Sequence, residues 1–218
     1  MSNLAILQAS TQSLRFPNKV LQKVGGQPMV LLAASRILQC PLLDKLVVSV
    51  PLEPADAGLA DLLQRAGLSV QRMVWKSETY NLAPFMEDMD GDDRIVRVTA
   101  DCPFVDPALM SLVLEATSAG VADVVATRTD RWFYATAYPP GYDVECFSVR
   151  ALRTHGGDMT AVWTEGKGHI LNADPACQPG LSVTVDYAHD LLWVRTIWDY
   201  LNGNVAYQTV RDMWSRWS

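Results

Sequence analysis

The chain is poor in the residues that build thiolate, hydrolytic or membrane sites. Its four cysteines (Cys40, Cys102, Cys146 and Cys177) are scattered without a C-x-x-C pair, so neither a zinc site nor a disulfide framework is indicated. A reduced, cytoplasmic setting is the simplest reading. The three His residues are far apart, and a Ser-His-Asp arrangement has no support. No apolar run approaches the roughly 20 residues of a membrane span. The opening MSNLAILQAS has neither a cationic start nor an apolar stretch long enough for a signal peptide. Neither G-x-G-x-x-G nor G-x-x-x-x-G-K-[ST] occurs, which leaves a dinucleotide fold and a P-loop without support. Internal repeats and low-complexity segments are missing too. Charged residues make up 19% and the formal net charge is -6, against broad binding to nucleic acid backbone or anionic lipid. An anionic ligand must therefore be met by a local concentration of Arg and Lys.

What is present is a rhythm. Strand-like runs at Leu4–Ala9, Lys45–Val50, Leu68–Trp75, Ile95–Ala100 and Asp123–Thr127 alternate with helical patterns at Pro28–Leu38, Ala55–Ala66, Asn81–Met89 and Pro107–Ala119. That alternation predicts βαβ units and a mostly parallel sheet. LAIL, LVVSV and IVRV are apolar on both faces, as strands buried between two helix layers must be. Asp106 before Pro107 reads as an N-cap followed by a first-turn proline. Beyond residue 128 the rhythm breaks. Arg128–Gly141 reads as an irregular excursion, Asp143–Ser148 and Leu181–Val185 as strands, and Tyr187–Leu201 and Val205–Trp217 as helices. The class is α/β with one main domain over residues 1–218 and an irregular subregion at about 128–180.

Three segments carry candidate chemistry. The stretch ILQASTQSLRFPNKVL leaves the first strand through hydroxyls, amides and two cations, Arg15 and Lys19, with little bulk. In open α/β sheets ligands sit outside the carboxyl ends of strands, where this loop falls. Ser10, Thr11, Gln12 and Ser13 can donate to a polyphosphate, and backbone N–H groups can add a nest. A solvated loop is the competing interpretation. In RVTADCPFVDP, Asp101 ends a buried strand; in VTVDYAHDL, Asp186 ends another and opens a helix. Each Asp could be a helix cap, but together with a cationic loop they suit a magnesium ion bridging carboxylates and phosphates.

The loop resembles the Q-A-R-x-x-S-x-R-L-P-G-K signature of sugar cytidylyltransferases, with Gln8, Ala9, Ser13, Arg15, Pro17 and Lys19 in register. The branch is the one named for spore coat polysaccharide biosynthesis, related to 3-deoxy-manno-octulosonate and acylneuraminate cytidylyltransferases. VTADCPFVDP is similar to the family's T-G-D-C-P-L-x-D-P, GYDVECFS to its G-x-D-V-E-x-F-S, and VTVDYAHDL to its V-D-x-P-E-D-L block. The resemblance implies a three-layer α/β/α fold of the nucleotide-diphospho-sugar transferase (GT-A-like Rossmann) type, with a mostly parallel mixed sheet. It also implies that CTP and an acidic or phosphorylated metabolite give a CMP-conjugate and pyrophosphate, for surface polysaccharide synthesis. Carried over by position, Arg15, Lys19 and Asp101 are the catalytic set and Asp101 and Asp186 hold Mg²⁺. Gln8, Ala9, Ser10, Thr11, Ser13, Ser77 and Tyr80 join Arg15, Lys19 and Asp101 around the nucleotide. Tyr142, Asp143 and Glu145 face a small anionic acceptor, and the protein is a homodimer.

The sequence departs from that pattern in places. Ser10 stands where the family has Arg and Asn18 where it has Gly; Asn tolerates a left-handed turn, but Ser10 cannot replace a charge. Ala188 and His189 replace Pro and Glu. These departures motivate a second reading, a nucleotide-binding scaffold that has lost turnover. A third, a glycosyltransferase on the same fold, would carry a D-x-D metal motif. Trp132, Phe133, Tyr134 and Tyr138 are read as a pocket wall or dimer contact, and Trp193, Trp198, Trp214 and Trp217 as packing between C-terminal helices.

Overall fold

The computed structural model of the chain describes residues 1–75, 81–127, 138–171 and 180–217. Its centre is β1 (Asn3–Gln8), flanked in parallel by β4 (Lys45–Pro51) and β6 (Arg94–Thr99). With β5 (Ser69–Met73), β7 (Val124–Ala126), β8 (Glu145–Ser148) and β9 (Gly168–Ile170) they form a seven-stranded sheet in the order β5-β4-β1-β6-β8-β7-β9. β8 runs antiparallel to both neighbours, and the other pairs are parallel. The sheet is therefore mixed but mostly parallel. A separate hairpin pairs β2 (Lys23–Val24) with β3 (Gln27–Pro28) through Gly25 and Gly26, both at positive φ. A Cβ at Gly25 would also run into the Trp198 ring, 2.3 Å away, so only glycine fits there.

Alternation along the strands decides the layering. Ala5 and Leu7 of β1 join the cluster holding Val30, Ala33 and Ile37 of α1 (Met29–Ile37), Leu59 and Leu63 of α2 (Ala57–Arg65), and Met110 and Val113 of α3 (Pro107–Ser118). Leu4 and Ile6, on the opposite face, pack with Ala151 and Leu152 of α4 (Val149–Thr154) and Met159 and Val162 of α5 (Met159–Glu165). Helices thus cover both faces, which makes three layers. A further core joins Met29 and Leu32 to α6 (Ala188–Tyr200) and α7 (Tyr207–Trp217) through Val194, Ile197 and Val210. There Trp198 lies 6.2 Å from Phe104 and Trp193 5.8 Å from Trp214, centroid to centroid, as expected of C-terminal packing residues.

Some elements differ from the sequence reading. Asn81–Met89 is no helix: it holds one 3-10 turn, Ala83–Phe85, and a bridge from Asn81 to Asp158. Leu181–Val185 is extended and its Leu181, Val183 and Val185 are buried, but it forms no sheet ladder. It is held by single bonds, Val183 N to Pro140 O and Val185 N to Asp101 O. Part of the supposedly irregular subregion is regular, since β8, α4, α5 and β9 occupy most of 145–170. Two short polar caps start its helices: the Ser148 hydroxyl accepts from Ala151 N, and the Asp158 carboxylate from Thr160 N and Ala161 N. Of the aromatic excursion, 128–137 lies outside the described residues; Tyr138 is buried with its ring 4.8 Å from that of Tyr207.

Candidate active site

The sheet turns back on itself beside β1: the chain runs outward from β1 to β4 and β5, then returns to lay β6 on the other side. The loop after β1 and the residues after β6 flank that switch point, where α/β sheets open a crevice. Asp101 lies two residues past Thr99, the last residue of β6. Asp186 reaches it because the extended 181–185 segment docks on it, Val185 N donating to Asp101 O at 2.9 Å.

Lys19 ties the two together. Its Nζ is 2.9 Å from Asp101 Oδ2 and 3.0 Å from Asp186 Oδ1, and Arg15 Nη2 is 2.6 Å from Asp186 Oδ1. The ammonium is almost covered, at 8% side-chain exposure, whereas Asp101 and Asp186 keep 25% and 27% and Arg15 54%. The cluster is thus open to solvent on its carboxylate and guanidinium side. Burial would lower the pKa of Lys19, but Asp101 and Asp186 outweigh it and hold it above its ordinary value. Burial would likewise raise Asp101, and the Lys19 charge with the Thr99 hydroxyl holds it below. Both shifts favour the charged forms of Lys19 and Asp101. Arg15 also sits over the Tyr187 ring, 5.7 Å from its centroid, and Tyr187 stacks on His189 at 5.5 Å.

Neither Asp is spent as a helix cap. Asp106 caps α3, its Oδ1 accepting from Ala108 N, as its sequence position predicts. At α6 the work falls to Asp190, whose Oδ2 accepts from the backbone N–H groups of Asp186 and Tyr187. Neither site carboxylate is committed to a helix terminus, and both face Lys19 instead.

The loop is a closed, folded element. Asn18 N donates to Thr11 O at 2.8 Å, and Asn18 is left-handed at φ 59, the conformation that glycine or asparagine adopts most readily. Its inner wall is not aimed at solvent: Thr11 N and Oγ1, Gln12 Nε2 and the Ser10 hydroxyl all point to Asp56. Gln12 N donates to Ser10 Oγ. Among the described residues the backbone N–H groups of Ser13, Leu14 and Arg15 have no partner, and Leu14 is fully exposed at the tip. The loop amides that remain open to a ligand are thus those of residues 13–15.

A sequence profile of the cytidylyltransferases matches residues 4–138, more than half of the chain. The chain belongs to the cytidylyltransferase family. Among curated cytidylyltransferase relatives, the 3-deoxy-manno-octulosonate enzyme of Aeromonas salmonicida is 27% identical over 184 residues, covering 82% of this chain and 64% of its own. Spore coat polysaccharide biosynthesis protein SpsF of Bacillus subtilis is 28% identical over 116 residues, covering 52% and 48%. The chain thus spans about half to two thirds of the length of these relatives. Three solved structures share the fold. A cytidylyltransferase from Leptospira borgpetersenii superposes with a TM-score of 0.80 at 18% identity, covering 99% of this chain and 94% of that one. CMP:2-keto-3-deoxy-manno-octonic acid synthetase complexed with CTP gives 0.63 at 14%, covering 92% and 99%. Rv0371c of Mycobacterium tuberculosis complexed with manganese gives 0.62 at 14%, covering 89% and 98%.

For this cytidylyltransferase-family chain the geometry sorts the sequence candidates. Arg15, Lys19, Asp101 and Asp186 converge. Ser13 is on the same loop, its hydroxyl accepting from Phe16 N. Asp143 is close by: Cys102 Sγ lies 3.7 Å from Asp101 Oδ1 and 3.6 Å from Asp143 Oδ2. Burial first, then Asp143 and Asp101, push that thiol far above its ordinary pKa, so Cys102 is a neutral packing residue.

Other candidates need correction. Ser10 and Thr11 turn inward to Asp56, and Ala9 is a core residue at 1% exposure. Gln8 is buried, its Oε1 accepting from Arg97 Nε. Glu145 does not look outward either: it pairs with Arg97 Nη1 at 2.6 Å and accepts from Trp163 Nε1. Tyr142 is fully buried against Tyr207, ring centroids 5.3 Å apart, with no surface for an acceptor. Arg97 takes the polar groups of Gln8 and Glu145, and Asp56 those of Ser10 and Thr11. Ser77 and Tyr80 lie outside the described residues. The two D-x-D spacings, Asp88–Asp90 and Asp90–Asp92, sit at the entrance to β6, the opposite end of that strand from Asp101.

Proposed function

We propose that the chain is a divalent-metal-dependent cytidylyltransferase that joins the CMP moiety of CTP to a small anionic acceptor and releases pyrophosphate. The observation that carries this reading is the convergence of Arg15, Lys19, Asp101 and Asp186 at the sheet's switch point. The family membership and the two relatives named for CMP-sugar or polysaccharide synthesis support the substrate class, and the CTP complex of a fold neighbour supports the nucleotide. An acidic sugar destined for surface polysaccharide is the acceptor in keeping with those names.

The donor set fits a divalent ion. Two hard carboxylate oxygens converge on one ammonium within 3.0 Å and are a quarter exposed, as a magnesium or manganese site shared with phosphates and water requires. Among the described residues no group of three or more His, Cys, Asp and Glu is placed to hold a metal ion, so phosphate and water oxygens would have to complete the coordination. The manganese complex of another fold neighbour is in line with this. Asp101 and Asp186 would hold Mg²⁺, and when bound the ion would offset charge on the triphosphate oxygens.

Two cations and two carboxylates cancel, so the resting cluster has no net charge with which to draw a triphosphate. Asp101 and Asp186 would hold the divalent ion, which would leave Lys19 and Arg15 to pair with the phosphate oxygens. Ser13, Leu14 and Arg15 present their backbone N–H groups to the same anion. As the acceptor oxygen attacks the α-phosphorus, charge grows on the α-oxygens and on departing pyrophosphate. Fixed cations stabilise that charge, and positioning supplies the rest. No nucleophilic side chain is needed. Asp143, whose Oδ2 lies 3.6 Å from Cys102 Sγ, is proposed to face the acceptor, and the protein is proposed to work as a single-domain cytoplasmic homodimer.

The test is pyrophosphate release with each of the four nucleoside triphosphates across a panel of acidic sugars and phosphorylated metabolites. Sustained, metal-dependent release with CTP and one acceptor is expected. Tight CTP binding without release on every acceptor would instead identify a scaffold that has lost turnover.

A further inference from the structure

Asp56 is a carboxylate with no reason to be where it is unless the loop needs it. It closes the 3-10 turn Pro54–Asp56, just before α2, and is 0% exposed. A buried carboxylate costs several kcal/mol unless fully satisfied, and among the described residues no Lys or Arg pairs with it. An Asp in this position ordinarily caps its helix. Here it makes no side-chain cap bond.

Every partner comes from three consecutive residues of the loop after β1. Oδ1 accepts from Thr11 N at 2.6 Å and Thr11 Oγ1 at 2.8 Å, Oδ2 from Gln12 Nε2 at 2.9 Å, and the Ser10 hydroxyl lies 3.3 Å from Oδ2. Ser10 in turn accepts from Gln12 N. The amides of residues 11 and 12 are thereby engaged, on Asp56 and on the Ser10 hydroxyl, and the next three are left without a partner among the described residues. The bond from Asn18 N to Thr11 O closes the far side. An anion thus sits directly behind a loop read as an anion-binding one, and it fixes which amides the loop can offer.

We propose that Asp56 is a positioning residue that presets this loop for a triphosphate, an inference that rests on the reading of the loop given above. It touches no reacting atom. By clamping Ser10–Gln12 to the β4–α2 connection it holds the Ser13–Arg15 amides and the Arg15 and Lys19 side chains in place before the nucleotide arrives. Binding energy is then not spent on ordering the loop. The same bonds account for Ser10: a short hydroxyl at this position joins the clamp.

The experiment compares wild type, Asp56→Asn, Gln12→Ala and the double variant. Titration calorimetry is run with CTP and with cytidine in the presence of Mg²⁺, and hydrogen exchange of the loop peptide is followed without nucleotide. Asp56→Asn is expected to bind CTP about tenfold or more weakly, to hold cytidine as before, and to exchange the loop amides faster. Gln12→Ala should move in the same direction by less, and the double variant should be no worse than Asp56→Asn, since both disturb the same Gln12–Asp56 bond. Equal losses for CTP and cytidine, or unchanged loop exchange, would make Asp56 a scaffold residue only and overturn the inference. If Asp56→Asn does not fold, Gln12→Ala decides: weaker CTP with cytidine retained supports the clamp, and unchanged CTP overturns it. A wild type that holds CTP no tighter than cytidine would instead defeat the functional reading, while the loop exchange still reports on the clamp.

Discussion

Replacing Lys19 by Met keeps the buried stem and removes the charge, and it should push two ligands in opposite directions. In the resting site the ammonium occupies both carboxylates, at 2.9 and 3.0 Å. A free divalent ion must displace it, so Lys19→Met should bind Mn²⁺ in the absence of nucleotide more tightly than wild type. One charge-assisted contact is worth about 1.5–3 kcal/mol, or roughly 10- to 150-fold, and the lower end is expected here because water already reaches both carboxylates. CTP should weaken by a similar factor, since the same ammonium is its phosphate partner, and cytidine should not change. Folding stability should fall only modestly, by about 1–2 kcal/mol and so roughly 2–8 °C in melting temperature. Electron paramagnetic resonance of Mn²⁺ and calorimetry of CTP and cytidine read the three affinities. If Mn²⁺ binding does not tighten, Lys19 does not guard the carboxylates. If CTP and cytidine weaken alike, Lys19 does not serve the phosphates.

Three further outcomes follow from other parts of the molecule. Glu145→Gln should destabilise by about 1.5–3 kcal/mol, because it removes the carboxylate charge that lies 2.6 Å from Arg97 Nη1 in a mostly covered place; chemical denaturation checks it, and a loss below about 1 kcal/mol would contradict the buried pair. Asn18→Val should cost about 1–2 kcal/mol and Asn18→Gly little, because the residue stands at φ 59; equal losses would mean that the side chain rather than the backbone matters. The Asp93 carboxyl would be raised by burial, but the amides of Asp90 and Ser2 hold it below its ordinary value of 3.8. A depressed carboxyl stabilises above its unfolded pKa and loses that contribution as pH falls through the folded one. The stability gap between wild type and Asp93→Asn should therefore be flat above about pH 5 and shrink toward pH 3, and a gap that grows on acidification would refute the assignment.

The parts legible in the sequence were those with a local physical cause. β1, β4 and β6 announced themselves as runs apolar on both faces, and α3 as an Asp–Pro start; the left-handed Asn18 followed from turn chemistry. The convergence of Arg15, Lys19, Asp101 and Asp186 was legible because strand ends and a loop share one edge of an α/β sheet. What was hidden depends on distant partners. Gln8 and Glu145 look like ligand groups until Arg97, on the strand between theirs, claims both. Asp56 reads as one more residue of the Ala55–Ala66 helical pattern, because nothing local reveals that a loop 45 residues earlier folds onto it. Asn81–Met89 has helical apolar spacing, but its Leu82, Phe85 and Met86 are buried from a single turn, and the acidic run that follows carries no helix on.

The central claim, attack on the α-phosphorus of CTP at the Lys19–Asp101–Asp186 site, is tested most directly by following label from CTP. With the acceptor found in the nucleotide panel, an α-phosphorus label should appear in the organic conjugate and a γ-phosphorus label in pyrophosphate. Both transfers should need a divalent ion and be lost in Asp101→Asn. Transfer of the γ label to the acceptor, or α-label transfer that survives Asp101→Asn, would contradict it.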